Sequence, residues 1–179
     1  GLQGEGIELE QQNSIVRNCV FKRVADPISY PGANTDIYWN EFQDASDDGV
    51  ECDKGRANVR IFENRFTNIC NAVFSFQPMG WGPWYFVRNQ VVQTRGRPWK
   101  FVLGVDDRYF VAHNTFIFPQ IASEYAQCLL NSFHKNNLYI AYTDTDNLFR
   151  ARHPSGGDPG LPYETAFWMT DMDYDGFDW

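Results

Sequence analysis

The sequence predicts an all-β chain wound as a parallel β-helix, a solenoid of about six coils carrying an asparagine ladder. Three observations predict it. An asparagine returns every 22 to 25 residues, at Asn18, Asn40, Asn64, Asn89, Asn114 and Asn136. The residues around it repeat: Ile15 to Phe21 reads IVRNCVF, Ile37 to Phe42 IYWNEF, and Ile61 to Phe66 IFENRF, followed by FVRNQV, VAHNTF and FHKNNL. Clusters such as Pro31-Gly32-Ala33-Asn34 cut the apolar runs to strand length, and no heptad runs through them. Such a period marks a repeat architecture.

Aligned on the asparagine, the copies give two apolar columns. Three residues before it stand Ile15, Ile37, Ile61, Phe86, Val111 and Phe133; two after it stand Val20, Phe42, Phe66, Val91, Phe116 and Leu138. Both columns are expected to point into a continuous core. A shorter strand precedes each block: GIEL from Gly6, PISY from Pro27, GVEC from Gly49, AVFSF from Ala72 and KFVL from Lys100. Each coil then holds two or three strands joined by bends, and neighbouring coils stack about 4.8 Å apart. Identical amides at that spacing bond one another, so the six asparagines read as scaffold. Leucine-rich repeats share the period, but their leucine framework is missing and Val, Ile, Phe and Tyr dominate instead.

From Gly6 to Asn147 the period and column chemistry resemble the right-handed parallel β-helix proteins of the pectate-lyase-like superfamily. That resemblance implies a secreted or cell-surface protein, most often an enzyme acting on polysaccharides, with phage tailspikes and adhesins as relatives that do not cleave by elimination. On this reading residues 1–148 form the coils. Residues 149–179 form a less regular C-terminal segment that continues into further coils or a cap. The chain starts at Gly1 and ends at Trp179 without an evident cap at either end. Open coils expose unpaired backbone, so the chain reads as a piece of something longer.

Composition narrows the function classes. At 179 residues one domain is expected, and a formal charge of −8 argues against a general nucleic-acid binder. It also weakens any reading that relies on global attraction to a polyanionic glycan. No apolar stretch approaches the length of a membrane-spanning helix. The thirty aromatics exceed what a narrow core needs and leave some for a surface. Cys19, Cys52, Cys70 and Cys128 show no CxxC or zinc spacing, so free thiols in or beside strands are expected. A Cys52–Cys70 bridge is the alternative in an oxidising compartment.

The densest polar cluster is Asp47-Asp48-Gly49-Val50-Glu51-Cys52-Asp53. If Val50 and Cys52 face inward, Glu51 and Asp53 face outward together, with Asp47 and Asp48 at the preceding bend. Glu8 and Glu10 take the matching outward positions two coils earlier, completing an acidic strip. Carboxylates two apart on a strand lie about 6 to 7 Å apart at Cα, a spacing that suits the acid and base of glycoside hydrolysis. Asp47, Asp48, Glu51 and Asp53 are therefore the candidate catalytic residues. The same residue types also serve as ordinary turn and solvated-strand residues. The Asp-Asp-Gly is similar to the paired aspartates of β-helical polygalacturonases. Here Asn34-Thr35-Asp36 lies only eleven residues before Asp47, however, and no Gly-His-Gly follows.

β-Elimination would instead need a base and a cation beside a uronate carboxylate. Lys54, Arg56 and Arg88 are the cations assigned to substrate binding, with Arg60, Arg97 and Lys100 as further sources. Trp81 and Phe74 are the expected stacking surface for a sugar ring, because pyranoses present apolar C–H faces. No cofactor is required, although the acidic strip offers ligands for Ca²⁺. Asp171 to Gly176 matches half of a calcium loop but reads better as a turn into another coil. Two residues before each asparagine, Val16, Tyr38, Phe62, Val87, Ala112 and His134 are expected outside. That apolar column needs cover, from a loop, the C-terminal segment or a partner subunit. His113 and His134 read as structural. The leading expectation is thus a hydrolase, or second a lyase, acting on an extended polysaccharide; the alternative is a non-catalytic glycan-binding or adhesin-like segment.

Overall fold

The computed structural model describes residues 4–53, 56–77, 82–93, 95–101, 108–119, 132–141, 171–173 and 176–178. The chain is a parallel β-solenoid of about five turns with three parallel sheets. Its first coil comprises β1 (Glu5–Glu8), β2 (Ile15–Arg17) and β3 (Val20–Lys22). The second comprises β4 (Asp26–Ser29), β5 (Asp36–Tyr38) and β6 (Glu41–Gln43), and the third β7 (Val50–Glu51), β8 (Val59–Phe62) and β9 (Arg65–Thr67). β10 (Ala72–Phe76), β11 (Trp84–Val87) and β12 (Gln90–Val92) form the fourth; β13 (Arg97–Phe101), β14 (Tyr109–Ala112) and β15 (Thr115–Phe118) the fifth. β16 (Ser132–Lys135), β17 (Leu138–Ala141), β18 (Asp171–Asp173) and β19 (Gly176–Asp178) extend two of the faces. The first sheet runs β1-β4-β7-β10-β13, the second β2-β5-β8-β11-β14-β16-β18, and the third β3-β6-β9-β12-β15-β17-β19. Asp171–Asp173 and Gly176–Asp178 are thus strands paired onto the stack, and not a calcium loop.

Most strands contribute only one or two inward side chains, too few to bury a core within one coil, so the core runs along the axis. The first sheet sends in Ile28, Val50, Phe74 and Trp99; the second Val16, Ile37, Ile61, Phe86, Val111 and His134. The third sends in Phe21, Phe42, Phe66, Val91, Phe116 and Tyr139. Ring spacing follows coil spacing: Phe42 lies parallel to Phe66 at 4.5 Å and to Phe21 at 5.1 Å. Each such pair adds about 0.5–1.5 kcal/mol beyond area burial. As expected, Trp84 is inward beside Val59 and Tyr109.

The asparagine ladder is buried and continuous, but its members differ at both ends from the sequence alignment. Asn40, Asn64, Asn89, Asn114 and Asn137 form it. Each accepting Oδ1 takes the backbone N–H of the ladder residue one coil before, at 2.8–3.1 Å. Each Nδ2 reaches back to a carbonyl of the preceding coil, as Asn64 does to Ile37 at 2.8 Å. In the first coil Cys19 holds the ladder position, and its N–H bonds Asn40. Asn18 and Asn136 sit one residue earlier, exposed, with φ of 56° and 53°. That turn position is left-handed in every coil, at Asn18, Trp39, Glu63, Arg88, His113 and Asn136. Asparagine suits both the left-handed turn and the adjacent ladder site, so an alignment on asparagine slips by one where only the turn carries it or both do.

A one-residue slip inverts every side chain. Ile15 (61% exposed), Val20 (66%) and Leu138 (39%) therefore face out, and Phe133 joins the outer face beside Phe110. Val16 and His134 face in. The outer column becomes Arg17, Tyr38, Phe62, Val87, Ala112 and Lys135, apolar only in its middle. Burial pushes the His134 imidazole down to about 3, and its Nδ1 lies 3.1 Å from the Tyr139 hydroxyl. A second amide ladder, Asn13–Asn34–Asn58, runs along the corner between the first and second sheets at 3.2 and 2.9 Å. Its spacings of 21 and 24 residues were visible in the sequence.

Candidate functional site

The acidic residues predicted as a strip do converge on the outer face of the first sheet. Register aligns Glu8, Ser29, Glu51, Ser75 and Lys100 in one row across β1, β4, β7, β10 and β13. Val50 and Cys52 are buried in the core, so alternation turns Glu51 and Asp53 outward as expected. The row is recessed: Ser29 and Ser75 are fully buried and Glu51 is half-buried. Gly49 makes the bend before β7 possible, because a Cβ there would meet the Val73 carbonyl oxygen at 2.7 Å.

Several of the carboxylates bind the scaffold as well as one another. Asp26 Oδ1 accepts the Asp48 N–H at 2.8 Å, and Asp48 Oδ1 accepts the Ala72 N–H at 3.0 Å. Asp53 Oδ1 accepts the Gln77 N–H, with the Ser75 hydroxyl at 3.5 Å. Asp47 takes the Asn71 amide at 2.9 Å. Asp26, Asp48 and Asp53 thus each cap a backbone N–H one coil onward, the reverse of the asparagine ladder, whose side-chain oxygens cap N–H groups one coil back. Lys100 reaches across β10 to Asp48 Oδ2 at 2.8 Å, an ion pair with both partners largely buried. The carboxylate oxygens of Asp26, Asp47 and Asp48 lie within 4.8 Å of one another. Among the described residues they are a set able to hold a hard cation such as Ca²⁺, although two of them already accept backbone N–H groups.

Crowding and burial shift protons onto this face. Burial, with Glu51 as the next cause, pushes the Asp53 carboxyl up to about 8. Burial also raises Glu51; the Ser29 hydroxyl partly offsets it, and Asp48 and Glu5 add repulsion. Asp26 is pushed up to about 6 by burial, against the Asp48 N–H that favours its charge. The Tyr30 phenol is raised chiefly by Glu51. Glu51 on β7 and Asp53 in the turn that follows thus both hold protons more tightly than free side chains do.

The remaining predicted site residues separate. Phe74 lies in the core against Phe66, Phe86 and Trp99, because β10 shares the inward phase of Val50. It is no stacking surface. Arg88 stands at the corner between the second and third sheets, 3.4 Å from Glu63, since its residue is the left-handed turn of that coil. Arg56 is exposed on the turn that follows the strip, its N–H on the Pro31 carbonyl. Arg60 is committed to Asp36, and the Arg97 guanidinium to Asn71 at 3.1 Å. Lys54 and Trp81 lie outside the described residues, as does Cys128. Cys19, Cys52 and Cys70 are free thiols, and burial raises the Cys52 thiol.

Sequence reasoning missed Asp26, Tyr30 and the binding role of Lys100 beside Asp48. The signal for Asp26 was its offset of 22 residues from Asp48, one coil. Lys100 stands 25 residues after Ser75, which stands 24 after Glu51. The chain matches no protein-family model, no curated protein and no solved structure. What the fold establishes is a parallel β-solenoid, and chemistry has to be argued from the residues themselves.

Proposed function

We propose that this protein is a carbohydrate-active enzyme of the pectate-lyase-like β-helix kind, hydrolysing an extended polysaccharide laid along the outer face of the first sheet. The observation that carries this reading is the Glu51–Asp53 pair, Glu51 at the end of β7 and Asp53 buried in the turn that follows, both binding protons more tightly than usual. Carboxyls set in different environments divide the roles, one serving as acid and the other as base. Asp53, raised to about 8, is the general acid that protonates the glycosidic oxygen. Glu51, the more exposed of the two, is the base that activates water or the carboxylate that stabilises the oxocarbenium ion. Asp48 and Lys100 hold the local charge, and Asp47 orients the bend through Asn71.

Hydrolysis is favoured over β-elimination because Lys100, the cation seated among the carboxylates of the strip, is already engaged by Asp48. No cofactor is needed for this chemistry; a bound Ca²⁺ would rest on Asp26, Asp47 and Asp48. A polysaccharide substrate goes with an extracellular or cell-surface setting.

One observation favours a second reading, a non-catalytic glycan-binding or adhesin-like β-helix. The oxygens of Asp26, Asp48 and Asp53 all cap backbone N–H groups of the next coil, a scaffold role that needs no substrate. Product release from neutral and acidic polysaccharides separates the two, following reducing ends and unsaturated uronates independently. Hydrolysis predicts reducing ends alone, with kcat falling at least about a hundredfold in Asp53→Asn and Glu51→Gln while the fold is kept. Unsaturated products would replace hydrolysis by elimination. No product on any substrate, from folded protein that still binds glycan, would establish the binder.

A further inference from the structure

The left-handed turn between the second and third sheets carries Trp39, Glu63, Arg88 and His113 where asparagine would be expected, and Trp39 is the bulkiest of them. Asparagine fills this turn at Asn18 and Asn136, as expected where φ must be positive. Trp39 fills it in the second coil at φ 54°, a strained conformation for a bulky side chain. The residue is 54% exposed, so the core does not repay the strain. The ring is nevertheless held in place. Its Nε1–H donates to Glu63 Oε2 at 2.6 Å, Arg88 lies 3.4 Å from the other oxygen of that carboxylate, and Tyr38 packs edge-on at 5.1 Å.

Trp39 forms a wall of a groove of about 610 Å³, which Glu41, Glu63, Arg65, Arg88 and Gln90 also line. Two carboxylates face two guanidinia there, so the groove has no net charge. The Arg65 guanidinium and the Gln90 amide have no side-chain partner among the described residues. An immobilised aromatic face beside balanced donors and acceptors matches a ligand that is apolar on one side and rich in neutral hydroxyls at its edge. The groove also runs along the coil axis, since its residues come from successive coils at 39, 63 and 88.

We propose that this groove is a binding site for a neutral oligosaccharide, with Trp39 as the stacking platform and Glu63, Arg65 and Gln90 bonding ring hydroxyls. It lies at the corner between the second and third sheets, away from the acidic face of the first, and does not depend on catalysis there. Its place in function is to hold a glycan chain to the solenoid.

The test uses the full chain, labelled with ¹⁵N, titrated with cellohexaose, xylohexaose, mannohexaose and a hexagalacturonate. The Trp39 indole resonance is identified by its loss in Trp39→Phe. At least one neutral hexasaccharide is expected to shift it, with affinity falling about tenfold or more in Trp39→Asn and less in Trp39→Tyr. Trp39→Asn is the well-folded loss variant, because asparagine occupies this turn twice already, and its thermal midpoint is expected to stay at or above that of the unmodified chain. Asp53→Asn should leave this binding unchanged, so failure of the hydrolase reading and failure of this site are separable. The proposal is overturned if no neutral hexasaccharide shifts the resonance, if only the hexagalacturonate does, or if Trp39→Asn binds as well as the unmodified chain. It is equally overturned if Trp39→Asn unfolds the protein, since Trp39 would then serve the scaffold, or if Trp39→Asn abolishes self-association seen by sedimentation in the absence of sugar.

Discussion

Removing one rung from the middle of the asparagine ladder should cost several times more than removing an asparagine from the adjacent turn. Asn89 is 1% exposed; its Oδ1 accepts the Asn64 N–H and amide, both at 3.1 Å, and its Nδ2 donates to the Ile61 carbonyl at 2.8 Å and to Asn114 at 3.1 Å. In Asn89→Ala the buried Asn64 N–H loses its acceptor and the Ile61 carbonyl loses its amide donor. The Asn64 amide keeps Ile37, and Asn114 Oδ1 keeps the Asn89 N–H, so those two groups remain satisfied. One buried N–H and one weakened carbonyl, at about 1–3 kcal/mol each, give a loss of about 3–5 kcal/mol with the small cavity added. Asn18→Ala removes an exposed side chain and leaves only the left-handed backbone cost, about 1 kcal/mol. Urea denaturation followed by far-UV circular dichroism compares the two, and hydrogen exchange at Asn64 and its neighbours locates the opening. Equal losses in the two variants, or a loss under about 1 kcal/mol for Asn89→Ala, would refute the assignment of the ladder and its energetic role.

Four further outcomes follow from the titrating groups and the bend. Asp53 binds its proton far more tightly folded (about 8) than at its ordinary 3.8, so its contribution to stability is full below about pH 4, declines above it and is gone above about pH 8. Asp53→Asn should flatten that decline in urea midpoints measured from pH 4 to 9; a profile parallel to that of the unmodified chain would contradict the buried acid. His134 has the opposite sign: folded near 3 against an ordinary 6.5, it supports stability above pH 6.5 that is lost as pH falls towards 3, and His134→Phe should remove that acid-side slope. Lys100→Met strands Asp48 in a largely buried position, at a cost of about 3–5 kcal/mol. Because Lys100 also lowers Glu51 and Asp53, the alkaline limb of any hydrolysis profile should move to higher pH in that variant, whereas an unmoved limb would place the acid elsewhere. Finally, Gly49→Ala drives a methyl against the Val73 carbonyl and should cost about 1–3 kcal/mol by thermal denaturation, whereas an unchanged midpoint would contradict the close approach.

The sequence by itself determined the architecture, because a solenoid writes its contacts as a period. Residues one coil apart touch, so the regular return of Asn40, Asn64, Asn89 and Asn114 announced both the stack and the ladder within it. It also placed Glu51 and Asp53 on one outer face, since alternation about Val50 and Cys52 is a local property of one strand. Only the tertiary structure decided register at the ends, where Cys19 and Asn137 take the rungs and Asn18 and Asn136 the turns, because two adjacent positions favour the same amide for different reasons. It alone turned Phe74 inward, since the phase of β10 is set by pairing with Val50 across the coil and cannot be counted through the intervening turns. And it alone brought Asp26 and Lys100 to Asp48, and Trp39 to Glu63 and Arg88, because those meetings depend on which way each side chain leaves its coil and how far it reaches across the next.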